Sequence, residues 1–206
     1  WNNRIMIATS ADGLTFVREN VVLSDQADVP DLVMTSDGRI FLYYLGWTAG
    51  SELNKVVAAV SDDQGKSWVY KWVALSGFEG MSAPVDPDVQ LLADGTFRLY
   101  LTADPNDGEG PQTYCATGTD GFAFAKSGVA FASPGNQVLD PTTYYAAGTW
   151  HLFAGGKSDG GEWHATSVDG LSFDDAGEAA FEIGGAGCAA ANVVPVDGGW
   201  RLYAFV

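Results

Sequence analysis

Positive charge is what this chain has least of. Ten Lys and Arg stand against 26 Asp and Glu in 206 residues, for a net charge of −16. The basic residues fall singly, so a phosphate backbone meets repulsion and no basic stripe, which excludes nucleic acid as an expected partner. No apolar run reaches the roughly eighteen residues of a membrane-spanning helix, so no membrane association is expected either. Two cysteines, Cys115 and Cys188, make neither a disulfide framework nor a zinc site. They read as buried small apolar residues, with a single disulfide as the alternative. The two histidines, His151 and His164, each sit beside a tryptophan in alternating stretches. They offer no His-based metal centre and no convincing Ser-His-Asp triad. There is no N-x-[ST] sequon, and the chain opens at Trp1 without a Met or a signal-like segment. That opening is expected of a processed or excised chain. The acidity suits a secreted or extracellular setting, high salt, or cation binding.

What is present is a repeat. With 47% hydrophobic residues, the 206-residue chain can bury one sizeable core, so residues 1–206 are read as a single domain. Helix-forming tracts are confined to short Gly-flanked stretches around Ala179–Ala180 and Ala189–Ala191. "TSADGLTF" (9–16), "SDDQGKSW" (61–68), "GTDGFAF" (118–124) and "TSVDGLSF" (166–173) superpose on a small polar residue, Asp, Gly and an aromatic. Their aspartates, Asp12, Asp63, Asp120 and Asp169, are 51, 57 and 49 residues apart. Interleaved with them, "DLVMTSDGRIFLYYL" (31–45), "DVQLLADGTFRLYL" (88–101), "TTYYAAGTWHLF" (142–153) and "NVVPVDGGWRLYAF" (192–205) are hairpins turning at Gly or Asp-Gly.

Two hairpins per repeat make four strands of about five to six residues, the pattern of a β-propeller blade. A β-sandwich would not predict two kinds of hairpin alternating in fixed order. The all-β propeller expected here has blades at about 31–76, 88–133 and 140–183, and a fourth built from 192–206 together with 1–24. The 37 residues after Asp169 and the 12 up to Asp12 together match the 49-residue spacing, so four blades can close into a ring through both termini. Four blades of a five-bladed ring is the alternative.

"SDDQGKSW" resembles the Asp-box of sialidases, and "VDPDVQLLADGTFRLYL" (85–101) is similar to the blade openings of glycoside hydrolase families 43 and 32. The resemblance covers all four repeats and implies a funnel on the propeller axis, a carbohydrate ligand and no cofactor. The one metal it leaves open is a structural Ca²⁺ on the axis, where a ring of carboxylates could supply its oxygens. Those families are five-bladed; a narrower four-bladed ring leaves less room for a sugar.

Innermost propeller strands start at the axis, which brings together Asp31 of "VPD", Asp86 and Asp88 of "VDPD", Asp140 of "LDP" and Asn192 of "AN". An inverting glycosidase needs one ionised carboxylate to activate water and one protonated carboxylic acid to release the leaving oxygen. The resemblance implies Asp31 as base and Asp86 as the carboxylate that tunes the acid. The family's acid is a Glu, whereas the matching strand carries Asp140, one methylene shorter. Glu109, in the loop "DPNDGEGP" (104–111), is the second candidate for the acid. Glu52, Glu79 and Glu162 are expected on the same face. The plain alternative is that Asp beside Pro caps a turn.

Trp47 ("LGWTAG") and Trp163 ("GEWHA") are placed where a sugar ring could stack, with Asp88 and Asn192 beside them. They could equally cover the tops of the blades. Three functions compete: a glycosidase, a glycan- or calcium-binding module working through the same mouth, and a protein-interaction scaffold. "SDDQGKSW" itself is expected to be a turn between third and fourth strands, with Asp63 accepting backbone N–H groups.

Overall fold

The computed structural model describes residues 3–46, 55–159, 161–179, 182–183, 186–187 and 189–205. Every regular element among them is a β-strand. β1 (Arg4–Thr9) and β2 (Val17–Asp25) form a hairpin. β3 (Ala27–Met34), β4 (Ile40–Gly46), β5 (Lys55–Ser61) and β6 (Val69–Trp72) make an antiparallel sheet in that order. β7 (Ala74–Ser76), β8 (Val85–Leu91), β9 (Phe97–Ala103), β10 (Gln112–Gly118) and β11 (Ala123–Phe131) make the next sheet. Its order is β7-β11-β10-β9-β8, with β7 lying parallel on the outer edge. β12 (Leu139–Ala146), β13 (Thr149–Gly155), β14 (Glu162–Ser167) and β15 (Asp174–Ala179) make a third sheet in sequence order. β16 (Glu182–Ile183) with β17 (Ala186–Gly187), and β18 (Ala189–Val196) with β19 (Gly199–Phe205), complete the chain as two hairpins.

Local sequence explains the reversals. Gly38 and Gly95, each following an Asp, sit at φ of 85°, a left-handed conformation that glycine adopts without steric penalty. The strands between such turns are rich in Val, Leu, Phe and Tyr, and their apolar faces stack sheet on sheet. Phe41, Tyr43, Val56 and Ala58 of the first large sheet pack on Val89, Leu99, Tyr114 and Phe124 of the second. Tyr100 and Cys115 of the second pack on Trp150, Leu152, Trp163 and Phe173 of the third. The β1–β2 hairpin lays Ile5 and Leu23 on the opposite face of the first sheet, against Leu42, Tyr44 and Val57. Cys115 is fully buried, and burial pushes its thiol up to about 11, leaving it an inert packing group at neutral pH. Cys188 lies outside the described residues.

A recurrent latch ties each sheet to the next. Tyr43 Oη donates to the carbonyl of Gly121 at 2.8 Å, and Tyr100 Oη to that of Gly170 at 2.6 Å. Arg98 Nη1 reaches the carbonyl of Asp169 at 2.8 Å. The receiving turns are themselves held by their aspartates. Asp120 accepts N–H groups of Phe122 and Ala123, and Asp169 that of Leu171. Asp63 accepts those of Lys66 and Ser67, and Asp12 those of Leu14 and Thr15. Donors crowded on one carboxylate favour its charged form; the Ser67 hydroxyl and N–H bring Asp63, and the Thr15 and Leu14 N–H groups bring Asp12, down to about 2.

The ends differ from the expected single blade. Among the described residues β18–β19 and β1–β2 are separate two-stranded sheets, with no ladder between them. β19 instead uses the latch: Tyr203 Oη donates to Gly13 O at 2.8 Å and Arg201 Nη1 to Asp12 O at 2.7 Å. Side chains two residues apart on one strand project from the same face, so β19 engages the turn across its face. Exposure follows from this arrangement. Leu32 is 54% exposed, whereas Val89 and Thr143, at the same position of the next two sheets, are 1% exposed.

If the latch carries the stacking, Tyr43→Phe and Tyr100→Phe each lower the unfolding free energy by about 1–2 kcal/mol, since each strands a carbonyl. Tyr145→Phe, at a 49% exposed tyrosine, stays within about 0.5 kcal/mol of the parent. Denaturant unfolding measures all three; equal midpoints would reject the latch.

Candidate functional site

The inner strands β3, β8, β12 and β18 lie side by side, and each carries a register shift at the same place. The shifts fall at Asp28/Asp31, Val85/Asp88, Leu139/Thr142 and Ala190/Asn192. In three of them the residue preceding Pro is left-handed: Val29 at φ 45°, Asp86 at 55° and Asp140 at 50°. A non-glycine residue there stores roughly 1–3 kcal/mol of strain, held by the surrounding ladder. Such bulges re-aim side chains, and here they divide the axial residues into two tiers.

The deeper tier holds the residues that follow the proline: Asp31, Asp88 and Thr142, with Asn192 in the fourth strand. Asp31 Oδ2 accepts the Val89 N–H at 2.7 Å, and Asn192 Nδ2 donates to Asp31 Oδ1 at 2.6 Å. Asp88 accepts the Thr143 N–H at 3.1 Å and its hydroxyl at 2.5 Å. Each carboxylate thus stitches one inner strand to the next. Burial raises the pKa of both, and the charge of Asp31 adds to the effect on Asp88.

The upper tier is Asp86 and Asp140, facing Asp28 of β3. With Pro30, Pro87, Pro141 and Ala191 they line a cavity of about 330 Å³. Burial, then the Asp140 charge, lifts the Asp86 carboxyl to about 7, against the pull of the Thr102 hydroxyl and the Asp140 N–H. Burial and the Asp28 charge also raise Asp140, which stays exposed at the cavity rim. Glu162, buried at the start of β14, joins this group. Its Oε2 accepts the Ala190 N–H at 3.4 Å, and burial followed by the Asp140 charge raises its pKa. Like charges held close together oppose one another's ionisation, and burial adds to the effect, most of all at Asp86.

The structure brings Asp31, Asp86, Asp88 and Asp140 to one cavity, and Asn192 to its floor through Asp31. Glu109 is not among them. It is exposed in the loop 104–111, its N–H donating to Asp107 and its carbonyl accepting from Gln112. Trp163 is 8% exposed and packs between the second and third large sheets. Its indole N–H donates to Gln137 O at 2.9 Å, and its ring meets Phe131 edge-on at 5.8 Å. Alternation along β14 explains this: Glu162 and His164 share one face and Trp163 takes the other, so the indole is packed rather than presented to a sugar. Trp47 and Glu52 lie outside the described residues. Among the described residues no group of three or more His, Cys, Asp or Glu is placed to hold a metal ion. Glu162 and Thr102 belong to no Asp-Pro strand start, and only the third dimension brings them against residues of the cavity lining, Glu162 at the Ala190 N–H and Thr102 at the Asp140 N–H.

No family model matches this sequence, and neither does any curated protein sequence. Solved structures do. A GH43_1 enzyme from Xanthomonas citri aligns with TM-score 0.68 at 16% identity, covering 88% of this chain and 64% of that one. An α-L-arabinanase of Penicillium chrysogenum complexed with arabinobiose aligns at 0.61 and 13%, covering 88% and 55%. A Dyadobacter fermentans protein of unknown function aligns at 0.68 and 15%, covering 93% and 61%. The chain spans less than two thirds of the length of these proteins. At such identities the likeness is one of fold: an all-β, propeller-like arrangement of the kind found in glycosidases.

Proposed function

We propose that the protein acts on a glycan at the carboxylate cavity, cleaving a glycosidic bond by acid–base hydrolysis. The observation that carries this reading is the cavity that Asp86 and Asp140 line together, where burial and the Asp140 charge raise the Asp86 carboxyl to about 7 while Asp140 is exposed at the rim. Asp86 donates its proton to the leaving oxygen, and Asp140 takes a proton from the attacking water. These roles move the acid from Asp140 to Asp86 and the base from Asp31 to Asp140. Asp31 has both oxygens committed to neighbouring strands, which suits it to holding the cavity's shape. The likeness to glycosidase structures supports the substrate class. The four turns at Asp12, Asp63, Asp120 and Asp169 fit the Asp-box pattern of sialidase-like propellers, and the acidic chain suits a secreted protein.

A non-catalytic glycan-binding role is the second reading, favoured by the tie of Asp31 and Asp88 to the scaffold. A panel of aryl and unactivated glycosides separates the two. Hydrolysis of an unactivated glycoside by Asp86→Asn falls by about 100-fold or more, and less for nitrophenyl substrates that need little acid assistance. Wild-type activity declines as pH rises through about 7, where Asp86 loses its proton, and Asp86→Asn lacks this limb. Saturable glycan binding without turnover of any panel member would establish the binding module instead. An Asp86→Asn variant of undiminished rate would remove Asp86 as the acid.

The same proton bears on stability. A carboxyl whose pKa rises on folding stabilises the fold below its unfolded value, 3.8 for Asp86, and that contribution is lost as pH rises through about 7. Asp12 and Asp63 act in the opposite sense, and their contribution is lost as pH falls from 3.8 towards 2. Thermal unfolding is therefore expected at higher temperature at pH 5 than at pH 8. Asp86→Asn flattens that difference and stabilises the protein at pH 8 by on the order of 2 kcal/mol, less than the full shift because the cavity opens to water. A melting temperature that is equal or higher at pH 8 would contradict this.

A further inference from the structure

The bulges of β3, β8 and β12 are one backbone device repeated, and it carries unlike side chains inward. Asp28 faces Leu45 and Asp31 faces Tyr43, so Val29 and Pro30 together stand against Tyr44. In the same way Asp86 and Pro87 stand against Leu101, and Asp140 and Pro141 against Ala154. The residue before each proline is left-handed, and all three line the cavity. Two of them are the carboxyls already described. The third is Val29, where the other strands read Asp-Pro.

Valine suits that backbone least. Its branched Cβ crowds the left-handed region, which aspartate visits more readily, and the following proline restricts it further. Val29 is nevertheless held at φ 45°, half-buried, by the residue before it. Asp28 Oδ1 accepts the Val29 N–H at 2.9 Å, while Asp28 Oδ2 accepts Asn3 Nδ2 at 2.6 Å. Among the described residues Val29 belongs to none of the apolar clusters between the sheets, so packing of the fold does not account for it. Backbone strain kept without a packing return is characteristic of a residue that meets a ligand. The cavity accordingly has two unlike walls. β8 and β12 bring Asp86 and Asp140; β3 and β18 bring Val29, Pro30, Ala190 and Ala191, with the β3 carboxylates Asp28 and Asp31 engaged by protein groups.

We infer that Val29 is the specificity-determining residue of this cavity: it takes the apolar face of a bound sugar, ring C–H or methyl groups, while the sugar's oxygens turn to Asp86 and Asp140. This rests on the reading of the cavity as a glycan site and adds the chemistry of the ligand, an uncharged sugar with an unbroken apolar face towards β3. An anionic sugar is refused on both sides, by the apolar wall and by carboxylates with no Lys or Arg among the lining residues.

The experiment compares wild type, Val29→Asn and Val29→Leu in the full chain. Asparagine accepts the left-handed backbone and replaces the isopropyl group by an amide; leucine keeps an apolar side chain without the branch at Cβ. Calorimetric binding and steady-state kinetics are measured on the aryl and unactivated glycosides used above, extended by uronic-acid glycosides. For the neutral glycoside that wild type binds best, Val29→Asn is expected to weaken binding or raise KM by about 10-fold with kcat within ~2-fold, and Val29→Leu to stay within ~3-fold. Val29→Asn is also expected to melt no lower than wild type, because relief of strain offsets the lost apolar contact. Unchanged affinity in Val29→Asn, equal losses in both variants, or a preference for uronic-acid glycosides overturns the inference and leaves the hydrolytic reading standing. A Val29→Asn protein that melts several degrees lower or does not fold shows the valine serving the fold, and overturns it as well. Weakened binding in Val29→Asn of a protein that cleaves no glycoside upholds the apolar wall and discards hydrolysis. A panel that wild type neither binds nor cleaves overturns both.

Discussion

The structure depends on hydrogen bonds that leave one sheet and end on the backbone of the next. Packing alone would let stacked sheets slide, because apolar contact has no direction. The Tyr43 and Tyr100 hydroxyls and the Asp31 and Asp88 carboxylates remove that freedom, each meeting a defined backbone group of the following sheet. The first kind works at the Asp-Gly turns and the second along the inner strands, so both interfaces among the three large sheets are pinned at two ends.

Electrostatics then follow from architecture. Stitching inner strands with carboxylates brings negative charge to one place, and the bulges ahead of each proline add a second tier above it. Among the described residues the cavity lining includes no Lys or Arg to neutralise the group. The outcome is a set of carboxyls with raised pKa values, one of them close to neutrality. A scaffold device and a proton-handling device are thereby made from the same residue type, told apart by which side of a proline each residue stands.

Much of this is legible in the sequence alone. Asp12, Asp63, Asp120 and Asp169 could be read as turn residues because an aspartate closing on N–H groups two to four positions away is a local event. Asp31, Asp86, Asp88 and Asp140 could be brought together because strand starts recur with the repeat. Which of them face the cavity was not legible. A bulge shifts side-chain parity by one residue, and nothing in "VDPD" says which of its two aspartates is turned to water. The same limit put Trp163 at the mouth on paper and in the core in fact, since one step along β14 exchanges its two faces.

The sequence by itself determined the hairpins, their turns, the all-β class and the convergence of acidic strand starts, because each depends on residue types within a few positions of one another or on a strict repeat. Tertiary structure alone decided the rest. It set β19 across the turn of β1–β2 instead of beside it, buried Trp163, left Glu109 in solvent, and drew Glu162 and Thr102 to Asp140. Those outcomes depend on how neighbouring sheets meet, and the distance and facing of groups some forty to two hundred residues apart is written in no single stretch of the chain.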